Sequence, residues 1–199
     1  MKTGIFGGTF DPVHHGHVEL CRQAEREAGL DRIFVVPARL QPFKLDQKTA
    51  DGKHRMEMLR LAFSEDPRIQ VSDYELSREE ISYTIHTLRA FQERFPEDEI
   101  YFILGTDAFM KIELWRNYGE LLKNFHILVG VRPGYREEEL DRLIRRLEEE
   151  FQADIRLLTN KELKISSTDL KEKIRQGCPL GAWLPEIVER YIKEHALYT

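Results

Sequence analysis

Residues 1–17, MKTGIFGGTFDPVHHGH, form the stretch that decides the fold. The apolar run at residues 3–6 predicts a short buried strand, and Gly7-Gly8 predicts where that strand ends. Because glycines let a backbone approach a ligand and the following helix offers free N–H groups, this turn suits an anion. His14 and His17 lie three positions apart, so they share one face of a first helical turn and can donate to phosphate oxygens. The stretch therefore predicts a polyphosphate site at a strand-to-helix turn.

The residues alone leave two other interpretations of this stretch open. The histidines could be ordinary surface side chains, or together with Asp11 they could bind zinc. A catalytic zinc site usually takes three protein ligands, and a glycine-rich turn suits an anion better than a metal. The stretch is not a Walker loop, because it lacks the pattern GxxxxGKS or GxxxxGKT.

Strands and helices alternate through the rest of the chain. Apolar runs predict further strands at residues 32–36, 69–71, 100–104, 126–131 and 155–158. Helical periodicity predicts helices at residues 17–28, 53–63, 84–95, 118–123, 136–151, 169–176 and 185–194. Thr84 is expected to cap its helix, and Gly29 is expected to end the first one. Because the strands are continuous apolar runs, both of their faces should be buried. This pattern predicts an α/β fold with a doubly wound, mostly parallel, Rossmann-like sheet.

The domain organisation follows from the length and the element order. We expect one domain over residues 1–199, with a small helical C-terminal segment, about residues 165–199, packed on it. Ligands of doubly wound sheets bind outside the carboxyl ends of the strands. The segments that follow those ends are therefore the ones expected to carry the chemistry.

Composition limits the classes of partner and the compartment. The net charge of −5 gives no global electrostatic reason to expect binding of nucleic acid. The two cysteines, Cys21 and Cys178, are far apart and form no CxxC pair, which argues against a disulfide scaffold and fits a reducing cytoplasm. No signal-peptide pattern is seen, and no apolar run approaches the roughly 18 residues of a spanning helix. We expect a cytoplasmic protein with no membrane or nucleic-acid partner, and leave a homo-oligomer open.

The whole string GGTFDPVHHGH resembles the signature of the nucleotidyltransferase superfamily with an HxGH motif, formed here by residues 14–17. In detail the chain resembles the bacterial nicotinate-mononucleotide adenylyltransferases over nearly its whole length. The further segments that carry this resemblance are HRMEML at 54–59, SYT at 82–84, GTD at 105–107, Trp115, RPG at 132–134, ISST at 165–168, the Leu184-Pro185 segment with Val188 and Tyr191, and Leu197-Tyr198.

The resemblance implies a reaction. The 5′-phosphate of nicotinate mononucleotide attacks the α-phosphate of ATP in line, giving nicotinate adenine dinucleotide and pyrophosphate in NAD biosynthesis. Mg²⁺ accompanies ATP, which is a substrate, and neither a tightly bound cofactor, a metal ligated by the protein nor a covalent enzyme intermediate is implied. This chemistry suits a chain without a nucleophilic triad, because phosphoryl-type transfer asks the protein mainly for positioning and charge neutralisation.

The resemblance also implies roles for residues. The residues implied in catalysis are His14, His17 and Lys171. Those implied in ATP binding are Gly7, Gly8, Thr9, Phe10, Gly105, Asp107, Ser167 and Thr168. Those implied in binding the acceptor substrate are Lys44, Tyr83, Thr84, Trp115, Arg116 and Arg132.

Ordinary structural roles compete with some of these assignments. Ser166 and Asp169 have the spacing of a helix cap, and Asp107 could cap the helix after its strand. Trp115 could be a packed aromatic side chain rather than a platform for a pyridine ring, where stacking would contribute about 0.5–1.5 kcal/mol beyond burial.

The chain departs from the family pattern at three places. Lys171 stands where the SSTxIR motif has arginine, which keeps the charge but loses the bidentate fork. The segment Gln41-Pro42-Phe43-Lys44 replaces PPHK, and Arg116 replaces the tyrosine that usually follows the tryptophan. If the Arg116 side chain reaches the acceptor, it would favour a carboxylate and hence nicotinate over nicotinamide. The same chemistry on nicotinamide mononucleotide or another phosphate-bearing acceptor, dual specificity, a non-catalytic nucleotide-binding module and a metal hydrolase remain as alternatives.

Overall fold

The computed structural model describes residues 1–42, 49–131, 137–159 and 166–199. The strands are β1 (Lys2–Gly8), β2 (Arg32–Pro37), β3 (Ile69–Val71), β4 (Glu99–Gly105), β5 (His126–Gly130) and β6 (Ile155–Leu158). The helices are α1 (His15–Ala28), α2 (Gly52–Ala62), α3 (Thr84–Arg94), α4 (Thr106–Phe109), α5 (Tyr118–Asn124), α6 (Glu137–Phe151), α7 (Ser167–Arg175) and α8 (Glu186–Glu194). Among the described helices, none is long and apolar enough to span a membrane.

The described strands form one parallel sheet in the order β3-β2-β1-β4-β5-β6. Strand β1 lies in the interior, with Thr3 paired to Arg32 of β2 and to Ile100 of β4. The chain moves outward from β1 to β3 and then returns to the other side of β1 with β4. The strand order thus reverses between β1 and β4, and such a switch point opens a crevice for ligands at the carboxyl ends. This confirms the predicted doubly wound α/β sheet.

The alternation of side chains explains why the central strands are apolar throughout. Successive residues of a strand point to opposite faces of the sheet. Phe6 of β1 belongs to an apolar cluster that includes residues of α1, α2, α7 and α8, whereas its neighbour Ile5 belongs to a cluster that includes residues of α3, α5 and α6. Both faces are therefore covered by helices, as the continuous apolar runs predicted.

The helix boundaries differ from the predicted ones at two informative places. Helix α1 begins at His15 because His14 occupies its N-cap, and it ends as predicted at Gly29, which adopts φ +65°. The expectation that Thr84 caps its helix is wrong: Tyr83 stands at the N-cap of α3, where the described residues show no side-chain cap, and Thr84 is the first helical residue. Helix α4 and a 3-10 turn at Ile112–Leu114 have no counterpart among the predicted elements.

The C-terminal residues pack beside the turn that follows β1. Leu170 of α7 and Val188 and Ile192 of α8 are buried in the same cluster as α1. The backbone N–H of His15 donates to the carbonyl of Trp183 over 2.8 Å. These contacts bring the start of α1 and the C-terminal helices to one end of the sheet.

Candidate active site

A cleft of about 480 Å³ opens at the carboxyl ends of β1 and β4, at the switch point of the sheet. Most of the predicted site residues line it. They are Gly7, Gly8, Thr9, Phe10, His14, His17, Thr84, Gly105, Asp107, Trp115, Ser167, Thr168 and Lys171. Tyr83 and Arg116 are not among the described residues that line the cleft. Lys44 and Arg132 lie outside the described residues, as does Phe43, so their predicted roles stay predictions.

The two histidines of the motif cap helix α1 through each other. The backbone N–H of His17 donates to Nδ1 of His14, and the backbone N–H of His14 donates to Nδ1 of His17, both over 3.3 Å. Their rings stack with centroids 3.6 Å apart and an interplanar angle of 20°. His14 is only 1% exposed, so its ring is fixed by the fold. The prediction that the pair shares one face is confirmed.

This cap determines which nitrogen of each ring can donate. A ring nitrogen that accepts a hydrogen bond carries no proton, so the N–H of both imidazoles is at Nε2. The cap thus leaves Nε2 of each ring as the nitrogen that can donate, and both residues line the cleft.

The glycines around the histidines are required by close packing. A Cβ atom on Gly8 would lie 2.9 Å from Cζ of Phe10, and one on Gly16 would lie 3.0 Å from Nδ1 of His14. Phe10 adopts φ +49° and is 2% exposed, and its ring meets that of His17 edge-on at 5.0 Å. The turn after β1 is therefore a rigid frame around the imidazole pair.

The turn before α7 is tied to this frame. Ser166 caps α7 as its spacing predicted, because its Oγ accepts a hydrogen bond from the backbone N–H of Asp169 at 3.1 Å. The Ser167 hydroxyl donates to the carbonyl of Pro12 over 3.1 Å. The N-terminus of α7 is therefore held against the β1–α1 turn, with Thr168 at the wall of the cleft.

Lys171 reaches back from α7 to a buried carboxylate. Its Nζ lies 2.9 Å from Oδ2 of Asp11, whose side chain is only 3% exposed. The other carboxylate oxygen, Oδ1, accepts from the Tyr198 hydroxyl at 2.7 Å and from the backbone N–H of Ala50 at 3.0 Å. Among the described residues that line the cleft, Lys171 is the only lysine or arginine. That part of the cleft thus contains one lysine cation whose position is set by Asp11.

Arg55 is a buried cation that sequence reasoning left without a functional role. It is 2% exposed and donates to the carbonyls of Thr9, Ala38 and Ala50 at 2.8, 2.7 and 3.0 Å. Burial lowers the pKa of its guanidinium, and the neighbouring Asp11 carboxylate opposes this effect. Arg55 joins the turn after β1 to the segments that flank residues 43–48. The presence of this arginine in the HRMEML segment was the available signal.

The end of β4 supplies the opposite wall. Gly105 stands at the N-cap of α4, so Asp107 lies in the first turn of that helix rather than at the cap. Asp107 is exposed and lines the cleft. The buried Thr106 hydroxyl donates to the carbonyl of Gly130 over 2.8 Å, which ties the ends of β4 and β5 together. Asp107 is therefore presented at the cleft on a braced helical turn.

The wall on the β2 side contains a contact between Thr9 and Gln41, and a buried acid, Glu75, that the sequence analysis did not single out. The Thr9 hydroxyl donates to Oε1 of Gln41 at 2.7 Å. Gln41, which stands where the family pattern has proline, is therefore bonded to the glycine turn. Glu75 is 9% exposed and accepts from the Thr87 hydroxyl at 2.5 Å. Burial raises the pKa of Glu75, and the hydrogen bonds from Thr87 and Ser82 oppose this rise.

The aromatic residues predicted for the acceptor divide between two cavities. Trp115 lines the cleft and meets Phe102 edge-on, with ring centroids 5.9 Å apart. Tyr83 lines a neighbouring cavity of about 370 Å³, and the guanidinium carbon of Arg116 lies 4.8 Å from its ring centroid. Arg116 therefore stacks on Tyr83 beside the cleft.

The donor set at the cleft suits phosphate better than a ligated metal. Asp11, the acidic residue of the zinc interpretation, already binds Lys171 and Tyr198. Both Nδ1 atoms of the imidazole pair accept backbone hydrogen bonds. Within the part of the chain that the structure describes, no three histidine, cysteine, aspartate or glutamate side chains are grouped so as to hold a metal ion.

Comparison with known proteins defines the class of the chain. The model of the cytidylyltransferase-like family matches residues 5–173, which include the glycine turn, the imidazole pair and Lys171. The chain is thus a nucleotidyltransferase of the cytidylyltransferase-like family.

Within that class the chain belongs to the nicotinate-nucleotide adenylyltransferases. It is 39% identical over 199 residues to a probable nicotinate-nucleotide adenylyltransferase of Thermus thermophilus, with 100% of both chains covered. It is 38% identical to the protein of the same description from a Thermoanaerobacter species, covering 100% of this chain and 94% of that one. The fold matches that of a Plasmodium falciparum nicotinic acid mononucleotide adenylyltransferase complexed with NaAD, with a TM-score of 0.84, 21% identity, and coverage of 100% and 98%.

Proposed function

We propose that this protein transfers the adenylyl group of ATP to the 5′-phosphate of nicotinate mononucleotide, giving nicotinate adenine dinucleotide and pyrophosphate. The observation that carries the proposal is the reciprocal cap of His14 and His17, which fixes both rings of the motif among the residues that line the cleft with the glycine turn. Membership of the adenylyltransferase family supports the acceptor and the place of the reaction in NAD biosynthesis.

The attacking group needs no general base in this chemistry. A phosphate monoester has a second pKa of about 6, so its oxygen is largely deprotonated at neutral pH. That oxygen forms a bond to the α-phosphorus of ATP, and the bond from the α-phosphorus to the bridging oxygen breaks in line. The pyrophosphate leaves with the electron pair of the broken bond. The protein therefore has to align the two phosphates and balance their charge. The histidines, hydroxyls and lysine that line the cleft suit this task.

We assign the charge balance to the imidazole pair and Lys171. The Nε2–H groups would donate to phosphate oxygens, and the Lys171 ammonium would supply positive charge. Mg²⁺ bound to ATP would neutralise further charge on the phosphates. The protein backbone around Gly7, Gly8, Thr9 and Phe10 would approach the bound nucleotides closely.

The remaining ATP contacts are assigned to the two helical turns that face the glycine turn. Asp107, beside Gly105, would accept hydrogen bonds from the ribose hydroxyls. Thr168 would donate to the triphosphate, and Ser167 would do so through its backbone N–H, because its hydroxyl already donates to the carbonyl of Pro12. Their placement in the described cleft supports these roles.

The acceptor is assigned to the side of the cleft that contains Thr84 and Trp115. Trp115 would stack on the pyridine ring, and Thr84 would lie near its carboxylate. Arg116 stacks on Tyr83 at the rim, so its influence on nicotinate over nicotinamide would be indirect. Comparison of both mononucleotides as acceptors for Arg116→Ala tests this. An unchanged preference would show that the Arg116 side chain does not influence the choice of acceptor.

The free thiols Cys21 and Cys178 support a reducing compartment such as the cytoplasm.

The deciding experiment measures pyrophosphate release from MgATP with nicotinate mononucleotide and nicotinamide mononucleotide in separate reactions. We expect release with the nicotinate form and its loss in His17→Ala, whereas the matched variant His15→Ala, outside the reciprocal cap, should retain activity. Comparable rates with both acceptors would replace the proposal with dual specificity. Absence of release with either acceptor would contradict it and favour a nucleotide-binding module.

A further inference from the structure

The carboxylate of Asp11 connects three parts of the chain that are distant in sequence. It receives the ammonium of Lys171 on Oδ2 and the hydroxyl of Tyr198 on Oδ1, and the latter bond joins residues 187 positions apart. Ala50 contributes a backbone N–H to Oδ1. Because the side chain of Asp11 is 3% exposed, water contributes little to fixing the orientation of its carboxylate.

We propose that Tyr198 is a positioning residue for the adenylyl transfer, which acts through Asp11 to hold the Lys171 ammonium toward the phosphates in the cleft. The inference rests on the proposed function and deepens it. Tyr198 lines neither the cleft nor the neighbouring cavity beside Tyr83, so its effect on the reaction would be transmitted by the carboxylate.

The need for such a tether follows from the departure at position 171. An arginine fork is planar and pre-organised for phosphate oxygens, whereas the lysine ammonium sits on a flexible four-carbon stem. An ammonium has three donors. With one of them on Asp11, Lys171 can direct the other two into the cleft, where its side chain is still 19% exposed. The Asp11 contact therefore supplies the orientation that the arginine fork would otherwise provide.

The path of the chain at Tyr198 indicates that its position is imposed by the surrounding structure. Tyr198 has φ +67° and Ala196 has φ +47°, a region that side-chain-bearing residues rarely adopt unless their contacts hold them there. Leu197 and Tyr198 pack against the same apolar cluster as α1. Burial and the neighbouring Asp11 raise the pKa of Tyr198, so its hydroxyl remains a donor across the neutral range.

The ring of Tyr198 also lies beside the cation, with its centroid 6.0 Å from Nζ of Lys171. Substitution by phenylalanine keeps this ring and removes only the hydroxyl. The matched control is Tyr191→Phe, because the Tyr191 hydroxyl also belongs to the C-terminal segment but pairs with Nδ1 of His54 at 2.9 Å. Each variant removes the hydroxyl of one half-buried tyrosine of the same segment.

The test is a double-mutant cycle of Tyr198→Phe and Lys171→Met, read as kcat and KM for MgATP. We expect Tyr198→Phe to lower kcat by roughly tenfold, within the range that a misplaced catalytic group costs, and Tyr191→Phe to leave kcat unchanged. We expect Lys171→Met to lower kcat by about 100-fold. If Tyr198 acts through Lys171, then Tyr198→Phe should cost less than about twofold in the Lys171→Met background.

Two results would overturn the inference: an unchanged kcat in Tyr198→Phe, or the same fold loss in both backgrounds, which is what a merely structural role gives. Thermal unfolding of each variant establishes that the compared proteins are folded. If the wild-type protein releases no pyrophosphate, the proposed function fails, and the same cycle is measured as the Kd of MgATP by calorimetry. An effect of Tyr198→Phe that is present in the wild-type background and absent in the Lys171→Met background would then support the tether, and equal effects would overturn it.

Discussion

Replacement of Arg55 by methionine should destabilise the protein far more than replacement of an exposed arginine on the same helix. The guanidinium is 2% exposed and donates to three backbone carbonyls, those of Thr9, Ala38 and Ala50. Methionine retains part of the apolar stem but leaves these carbonyls without their donor. It also removes a positive charge that lies near the buried Asp11 carboxylate.

The expected loss of unfolding free energy in Arg55→Met comes from the lost hydrogen bonds. It is partly offset because the variant no longer has to bury a cation. Hydrogen bonds to charged groups contribute about 1.5–3 kcal/mol each. The lowered pKa of Arg55 shows that burial of this cation already costs free energy, which the variant recovers. Loss of one partner from a buried charged network typically costs about 3–5 kcal/mol, and we expect a loss in that range. For a chain of this length that corresponds to a fall in Tm of roughly 6–20 °C.

The assay is urea and thermal unfolding followed by circular dichroism, with Arg60→Met as the matched control. Arg60 lies on α2 as well, but its side chain is 59% exposed and pairs with Glu57 at 3.4 Å. Such an exposed pair contributes at most about 1 kcal/mol. A loss of unfolding free energy below about 1 kcal/mol in Arg55→Met, or a loss equal to that of Arg60→Met, would refute the reasoning. Arg55 would then not stabilise the fold through its three backbone contacts.

Three further perturbations test other parts of the site. Because asparagine is among the best N-caps, His14→Asn should keep α1 but lower kcat by about 10²–10³-fold; retention of kcat would exclude the imidazole as a donor. Gly8→Ala places a Cβ 2.9 Å from the buried ring of Phe10, so urea unfolding should show a loss of about 1–3 kcal/mol, and unchanged stability would contradict the packing argument. Burial raises the pKa of Glu75, so its contribution to stability is complete below its unfolded pKa and is lost as pH rises through the folded value. Glu75→Gln cannot ionise, and its stability relative to wild type should increase as pH rises above the unfolded pKa of about 4, whereas a difference independent of pH would exclude this ionisation.

The sheet was predictable because strands that are buried on both faces need apolar residues at successive positions. The runs around Ile103 and Val129 are apolar at every position, and the structure places successive residues in the two clusters that cover the sheet. Helix α4 was not predictable in the same way, since four residues are too few to show a helical period.

The imidazole pair was predictable from its spacing, but the network behind it was not. Asp11, Arg55 and Tyr198 meet only in the folded chain, and charged residues are usually exposed when nothing else is known of them. The resemblance included the segments that contain Arg55 and Tyr198 without giving either a role. Glu75 carries no local pattern, because its burial depends on the packing of α3 through Thr87.

The bond between Asp11 and Tyr198 has a consequence for synthesis on the ribosome. The two residues are 187 positions apart, and translation at about 5–20 residues per second separates their appearance by roughly 10–40 s. During that interval β1 and its glycine turn have been synthesised, but the Tyr198 hydroxyl that donates to the Asp11 carboxylate has not. At a stall within α8 the residues of every described strand have been joined but Tyr198 has not, so the Asp11–Tyr198 hydrogen bond is among the last contacts of the fold that can form.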